Sequence, residues 1–178
     1  GNEHAGTLTN FGTSSISGWN NEYLSFDGVN DWVNCGEINF DNITLETVAV
    51  SKSENKERRT LIGNFENGGV GIAFSKNHYN SSLHLGDEYH YLNTNEQIET
   101  NEIFTQSYTF NGKSQAIYGN GEKLISEDIE GSIKVPDNNT VMAVGGNPTI
   151  GDEVIESGDF DIYSVRIYNR GLTNEEIE

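Results

Sequence analysis

Short runs in which apolar and polar positions alternate recur along the whole chain, each closed by Gly, Asn or Asp. Residues 24–26, 44–50, 60–65, 70–74, 104–110, 116–118, 141–144 and 160–168 carry the branched and aromatic side chains that favour strands. In the last of these, Phe160, Ile162, Ser164, Arg166 and Tyr168 share one parity, while Asp161, Tyr163, Val165 and Ile167 share the other. Both sets are partly apolar, the pattern of a central strand in a two-layer sheet structure. Asn111-Gly112 and Gly119-Asn120-Gly121 divide residues 107–125 into three short runs, and Asn-Gly supplies the positive φ that a tight hairpin needs. A three-strand meander is predicted there. Asn67-Gly68-Gly69 predicts a further hairpin between residues 61–65 and 70–74. Helical periodicity is confined to the C-terminus, where Thr173-Asn174-Glu175-Glu176 reads as a capping box. The pattern predicts an all-β, antiparallel two-sheet sandwich (a jelly roll) with one short C-terminal helical turn. Its core is predicted on Leu24, Phe26, Val33, Leu45, Val48, Ile62, Ile72, Phe74, Ile117, Val144, Val165 and Ile167.

Length and charge narrow the picture. The 178 residues suit a single domain over 1–178, long enough for one sizeable core. Lys and Arg total 10 against 28 Asp and Glu, a formal charge of −18. That balance lacks the basic footprint of a nucleic-acid binder and disfavours an anionic membrane surface. The apolar runs are far shorter than the roughly 20 residues a membrane span requires. Cys35 is the single cysteine, so neither an intrachain disulfide nor a cysteine metal cluster can form.

Several motifs then carry a resemblance. Leu24-Ser25-Phe26-Asp27-Gly28-Val29-Asn30-Asp31-Trp32-Val33 resembles the "FDGVNDYV" strand-turn of laminin-G-like jelly rolls, in the concanavalin A-like lectin/glucanase group. Ile43-Thr44-Leu45-Glu46 is similar to the strand that follows it there. Ala116-Ile117-Tyr118-Gly119-Asn120-Gly121-Glu122 resembles the family's "lYvNGe" hairpin, and residues 161–177 its closing "dIysVRIYNRaLtdeEI" strand and helix. Gly6-Thr7-Leu8-Thr9-Asn10 resembles its "GTLtn" stretch, so the motifs run in family order from residue 6 to 177. Two departures stand out: Glu46-Thr47-Val48 lacks the usual Trp, and Gly171 replaces the common Ala. The flavour is most similar to such domains in phage or prophage structural proteins and bacterial surface proteins. The resemblance implies an extracellular, cell-surface or virion-associated recognition module. It also implies additional outer strands in relatives. The chain is therefore expected to be trimmed at both ends, with an open sheet edge through which copies could self-associate.

A fold of this kind does not settle function. Catalysis on it needs paired carboxylates, which the glucanases of the group carry at a Glu-x-Asp-x-x-Glu spacing. Neither Glu127-Asp128-Ile129-Glu130 nor Glu156-Ser157-Gly158-Asp159 has that spacing, so no catalytic residues are expected. Gly69-Val70-Gly71 fails as a nucleotide fingerprint, having Phe74 where a third Gly is required. Calcium is the metal candidate. It takes several oxygen ligands, and the acidic loop of residues 151–159 offers Asp152, Glu153 and Asp159, with Asp161 just beyond. Sugar binding calls for aromatic faces among Asn, Asp and Glu side chains. Residues 78–91 read as a loop rich in both. Tyr79, Tyr89 and Tyr91, together with Trp19 in a Gly/Asn/Ser-rich segment, are the candidate ligand contacts. The expected partner is a cell-surface carbohydrate or another protein. The leading expectation is a non-catalytic carbohydrate-binding module. Its rivals are a purely structural module without a small ligand and, behind both, a glycoside hydrolase.

Overall fold

The computed structural model describes residues 5–12, 16–54, 57–66, 68–137, 140–149 and 153–177. Two seven-stranded sheets face each other. The first holds, in spatial order, β1 (Thr7–Thr9), β4 (Trp32–Asn34), β13 (Ala143–Val144), β6 (Arg58–Gly63), β7 (Val70–Ser75), β8 (His78–Leu85) and β9 (Glu88–Gln97). The second holds β12 (Glu122–Asp128), β11 (Ser114–Gly119), β10 (Ile103–Phe110), β5 (Ile43–Ser51), β16 (Phe160–Tyr168), β3 (Leu24–Ser25) and β2 (Gly18–Trp19). A two-stranded ribbon, β14 (Asn147–Pro148) with β15 (Val154–Ile155), lies beside β6, and α1 (Asn174–Ile177) closes the chain. Every strand pair among the described residues is antiparallel. No helix among them is long and apolar enough to cross a membrane. The expected antiparallel sandwich with a single terminal helix is what the chain forms.

Turn chemistry explains the connections. Asn120 and Gly121 adopt φ of 51° and 83° between the paired residues Gly119 and Glu122. That is the two-residue hairpin loop whose twist matches the flanking strands. The Asn111 side chain accepts the backbone N–H groups of Lys113 and Ser114, both at 2.9 Å, and so folds the turn between β10 and β11. β6 and β7 pair as expected, although Asn67 in their connection lies outside the described residues. At the C-terminus, Glu176 reaches back to the Thr173 N–H at 3.0 Å, the reciprocal half of a capping box.

Two sequence expectations need correction. Residues 78–91 are not a loop. They form the β8–β9 hairpin, entered through Lys76 and Asn77 at φ 54° and 60° and turned at Gly86-Asp87. The second correction concerns β16, where Tyr163 is an extra residue between the pairs Ile162–Ala49 and Ser164–Val48. Such a bulge reverses parity. Phe160 and Ile162 therefore share a face with Val165 and Ile167 rather than opposing them, and all four pack on the core. Val48, predicted inside, pairs with Thr105 and Ser164 and is only half-buried. The core itself centres on Phe26, Trp32, Leu45, Ile72, Phe74, Tyr108, Phe110, Ile117 and Phe160, all essentially inaccessible.

Candidate functional site

The face of the first sheet turned away from the core is unusual. Phe74, Tyr79, Ile72 and Leu83 point into the sandwich, so the alternating positions between them point out. Cross-strand register places Thr60, Ala73 and Asn80 in one outer row, Gly63, Gly71, Ser82 and Tyr91 in the next, and His84 with Tyr89 in a third. Yet Thr60, Asn80, Ser82 and His84 are buried. A second layer of side chains covers them.

Phe65 is the anchor of that layer. Its ring lies so close over the sheet that a Cβ on Gly71 would stand 2.2 Å from Phe65 Cδ1, and one on Gly63 2.8 Å away. The Arg58 guanidinium lies over this ring, 4.4 Å from its centroid and 5.8 Å from that of Tyr91. Arg58 Nη2 donates to Ser82 Oγ at 2.8 Å, and Nε is 3.4 Å from Glu156 Oε2. Glu156 directly follows β15, so the ribbon delivers it over β6. There it accepts from Thr60 Oγ1 at 2.6 Å, and its carbonyl accepts the Thr60 N–H at 2.9 Å. Tyr89 stacks on His84 with centroids 3.9 Å apart and donates its hydroxyl to the Phe65 carbonyl at 2.9 Å. Tyr91 lies beside Tyr89, centroids 6.1 Å apart and planes 19° from parallel. The two rings form an aromatic shelf, with Tyr89 38% and Tyr91 50% exposed.

The charged groups around the shelf shift one another's ionisation. Burial lowers Arg58 from its ordinary value, and the Glu156 carboxylate opposes that shift. Burial and the neighbouring Glu156 raise the Glu66 carboxyl. Burial, reinforced by Lys134, lowers His84, so its imidazole is neutral at pH 7. The Asn80 side chain donates to the Leu92 carbonyl at 3.3 Å and to Asn93. Asn80 Oδ1, His84 Nδ1 and Arg58 Nε are buried without a hydrogen-bond partner among the described residues. Buried polar atoms of this kind are costly unless something completes them.

The sequence-predicted residues fall in different places. Tyr89 and Tyr91 form the shelf. Tyr79 does not join them: it is 3% exposed and packs edge-on against Phe104, so it is a core residue and its face is closed to a sugar. Trp19 is 74% exposed, but on β2, the last strand at the flank of the second sheet opposite the one that meets β9. There it lines an apolar cleft of about 670 Å³ with Leu8, Val33, Cys35, Val165 and Ile167. Of the acidic candidates, Asp159 and Asp161 meet at Lys52. Lys52 Nζ lies 3.0 Å from Asp159, 3.3 Å from Asp161 and 3.0 Å from the Phe26 carbonyl, where its ammonium is already the cation. Glu153 is exposed, with its backbone carbonyl accepting from Thr149, and Asp152 lies outside the described residues. Among the described residues no three His, Cys, Asp or Glu side chains gather as a metal site. Sequence reading missed Arg58, Phe65, His84 and Glu156 as members of one site.

A family model described as the concanavalin A-like lectin/glucanases superfamily matches residues 26–178. The chain belongs to this superfamily. Its fold is similar to the sialidase CBM40 of Ruminococcus gnavus, solved with α2,3-sialyllactose, at a TM-score of 0.69 and 15% identity over 90% of this chain and 97% of that one. It is similar also to a heptameric SAP-like pentraxin of Limulus polyphemus, with a TM-score of 0.64 and 13% identity over 92% and 78% of the two chains. The botulinum neurotoxin serotype G binding domain aligns with a TM-score of 0.70 and 14% identity over 99% of this chain and 46% of its own. At such identities the likeness shows a shared fold, and residue roles do not transfer. No curated protein sequence matches the chain.

Proposed function

We propose that this chain is a non-catalytic carbohydrate-binding module acting at a cell or virion surface, with its site on the outer face of the first sheet. The observation that carries this reading is the Tyr89–Tyr91 shelf beside a half-buried Arg58–Glu156 pair. Flat aromatic faces suit the C–H face of a pyranose, and fixed donors and acceptors at their edge suit its hydroxyls. Tyr89 is held on both sides, by His84 and by the Phe65 carbonyl, so the shelf is formed before any ligand arrives. The likeness in fold to a sialidase CBM40 solved with α2,3-sialyllactose supports the same reading.

Glycan-array screening followed by calorimetry tests it. Tyr91→Ala is expected to weaken binding about tenfold, equivalent to roughly 1.4 kcal/mol. Trp19→Ala, on the far flank, is expected to leave binding unchanged. Absence of glycan binding by the wild type, or equal affinity of Tyr91→Ala, refutes the proposal. Turnover of β-glucans would refute its non-catalytic part.

A second reading rests on a separate observation. β16 pairs with β3 only at Asp161 and Ile162, and among the described residues no strand pairs with positions 163–168 on that side. An open edge beside the apolar cleft favours a structural module that accepts a strand from another chain. Concentration-dependent light scattering that vanishes on Val165→Lys would support this alternative.

A further inference from the structure

We infer that the outer-face site selects an uncharged, hydroxyl-rich sugar and discriminates against one bearing a carboxylate. This inference rests on the carbohydrate-binding reading above and narrows it. Two carboxylates, Glu156 and Glu66, act electrostatically on the guanidinium of Arg58, while Lys134 acts on the His84 imidazole together with the carboxylates of Asp87 and Asp137. Negative charge is therefore in excess at the shelf before a ligand binds, within a chain whose net charge is −18.

Hydrogen-bonding capacity leans the same way. Asn80, 4% exposed, has no donor to its Oδ1 among the described residues, and Glu66 and Glu156 are acceptors only. On the donor side stands Arg58, whose Nη2 donates to Ser82 and whose Nε faces Glu156 at 3.4 Å as an ion pair without a hydrogen bond. A sugar hydroxyl both donates and accepts, so it can complete a carboxylate or the Asn80 oxygen and still accept from Arg58. A ligand carboxylate can only accept. It would have to compete with Glu156 for the same guanidinium while sitting near two like charges.

The test uses matched probes: neutral hexose oligomers and the same oligomers oxidised at C6 to hexuronates, titrated into the whole chain at low and high salt. Neutral probes are expected to bind at least tenfold more tightly than their oxidised partners. High salt should narrow the difference by screening the excess charge. Glu66→Gln should narrow it as well. Equal or tighter binding of the hexuronates overturns the inference and leaves the carbohydrate-binding reading standing. A gap that ignores both salt and Glu66→Gln also overturns it, because the selectivity would then be steric. Binding of neither probe set, nor of any glycan on the array, removes the carbohydrate-binding reading itself.

Discussion

Lys52 offers the sharpest test of how this sandwich handles its acidic rim. Its ammonium sits among Asp159 at 3.0 Å, Asp161 at 3.3 Å and the Phe26 carbonyl at 3.0 Å, and Ser25 donates to the same Asp161 oxygen. Lys52→Ala strands two carboxylates and a carbonyl facing one another. The pair with Asp159 counts for little, because that side chain is 37% exposed and solvent screens it. Asp161 is 17% exposed, between the surface and buried regimes, so losing its partner costs about 1 kcal/mol or slightly more. The charged hydrogen bond to the Phe26 carbonyl adds about 1 kcal/mol. A total near 2 kcal/mol lowers the melting temperature by about 4–8 °C in a chain of this size. The same substitution leaves three oxygen donors around an emptied position, the ligand type that calcium takes. Thermal melts in millimolar calcium and in chelator should coincide for the wild type. They should separate for Lys52→Ala, with calcium restoring part of the loss. Lys113→Ala, an exposed lysine, controls for the general effect of removing positive charge. A wild-type melting point that climbs with calcium would refute the reasoning, since a metal would then bind despite the lysine. A loss under about 0.5 kcal/mol in Lys52→Ala would refute the packing argument.

Phe26→Ala should cost about 3–5 kcal/mol in chemical denaturation, because the ring is fully buried and meets Phe11 edge-on at 5.2 Å; a loss below about 1 kcal/mol would show that this strand end is not part of the core. Tyr79 gives a pH prediction: burial pushes its phenol up from 10.0 to about 12. The folded state resists ionisation, so stability is unaffected below about pH 10 and falls between about pH 10 and 12, by up to roughly 3 kcal/mol from this residue. Tyr79→Phe should flatten that part of the alkaline slope, and an unchanged slope would show that other groups carry it.

Where the chain announces its turns with glycine, the fold was legible. Asn120-Gly121 marks a hairpin whose backbone needs two consecutive positive φ values, and few other residue pairs reach that conformation without strain. The hairpin through Lys76-Asn77 adopts the same conformation with a lysine in place of the permissive residue, so composition hid it. With that turn hidden, the dense polar and aromatic content of residues 78–91 read as loop. The parity error in β16 has a comparable origin. One inserted residue, Tyr163, leaves the alternating pattern plausible on either face, and only pairing to β5 decides which half points inward.

The candidate site was half legible, and register accounts for the division. A two-residue turn at Gly86-Asp87 pairs Leu85 with Glu88, and so joins even positions of β8 to odd positions of β9: His84 to Tyr89, Ser82 to Tyr91. Tyr89 and Tyr91 therefore look outward with His84 and Ser82. Tyr79, also odd but on β8, is sent to the opposite face and into the core. Once the hairpin is recognised, the loss of Tyr79 and the gain of His84 follow from arithmetic on the turn. Arg58, Phe65 and Glu156 differ in kind. Phe65 needs two glycines on separate strands to lie flat, and Glu156 reaches Arg58 from nearly a hundred positions further along the chain, carried by a ribbon of two-residue strands. No local pattern encodes such meetings. They depend on strand order, and strand order is set by burial of the opposite face. The site on the outer surface is thus a by-product of the core in position, though not in chemistry: the core decides which rows face out, and the outward residues alone decide what those rows can hold.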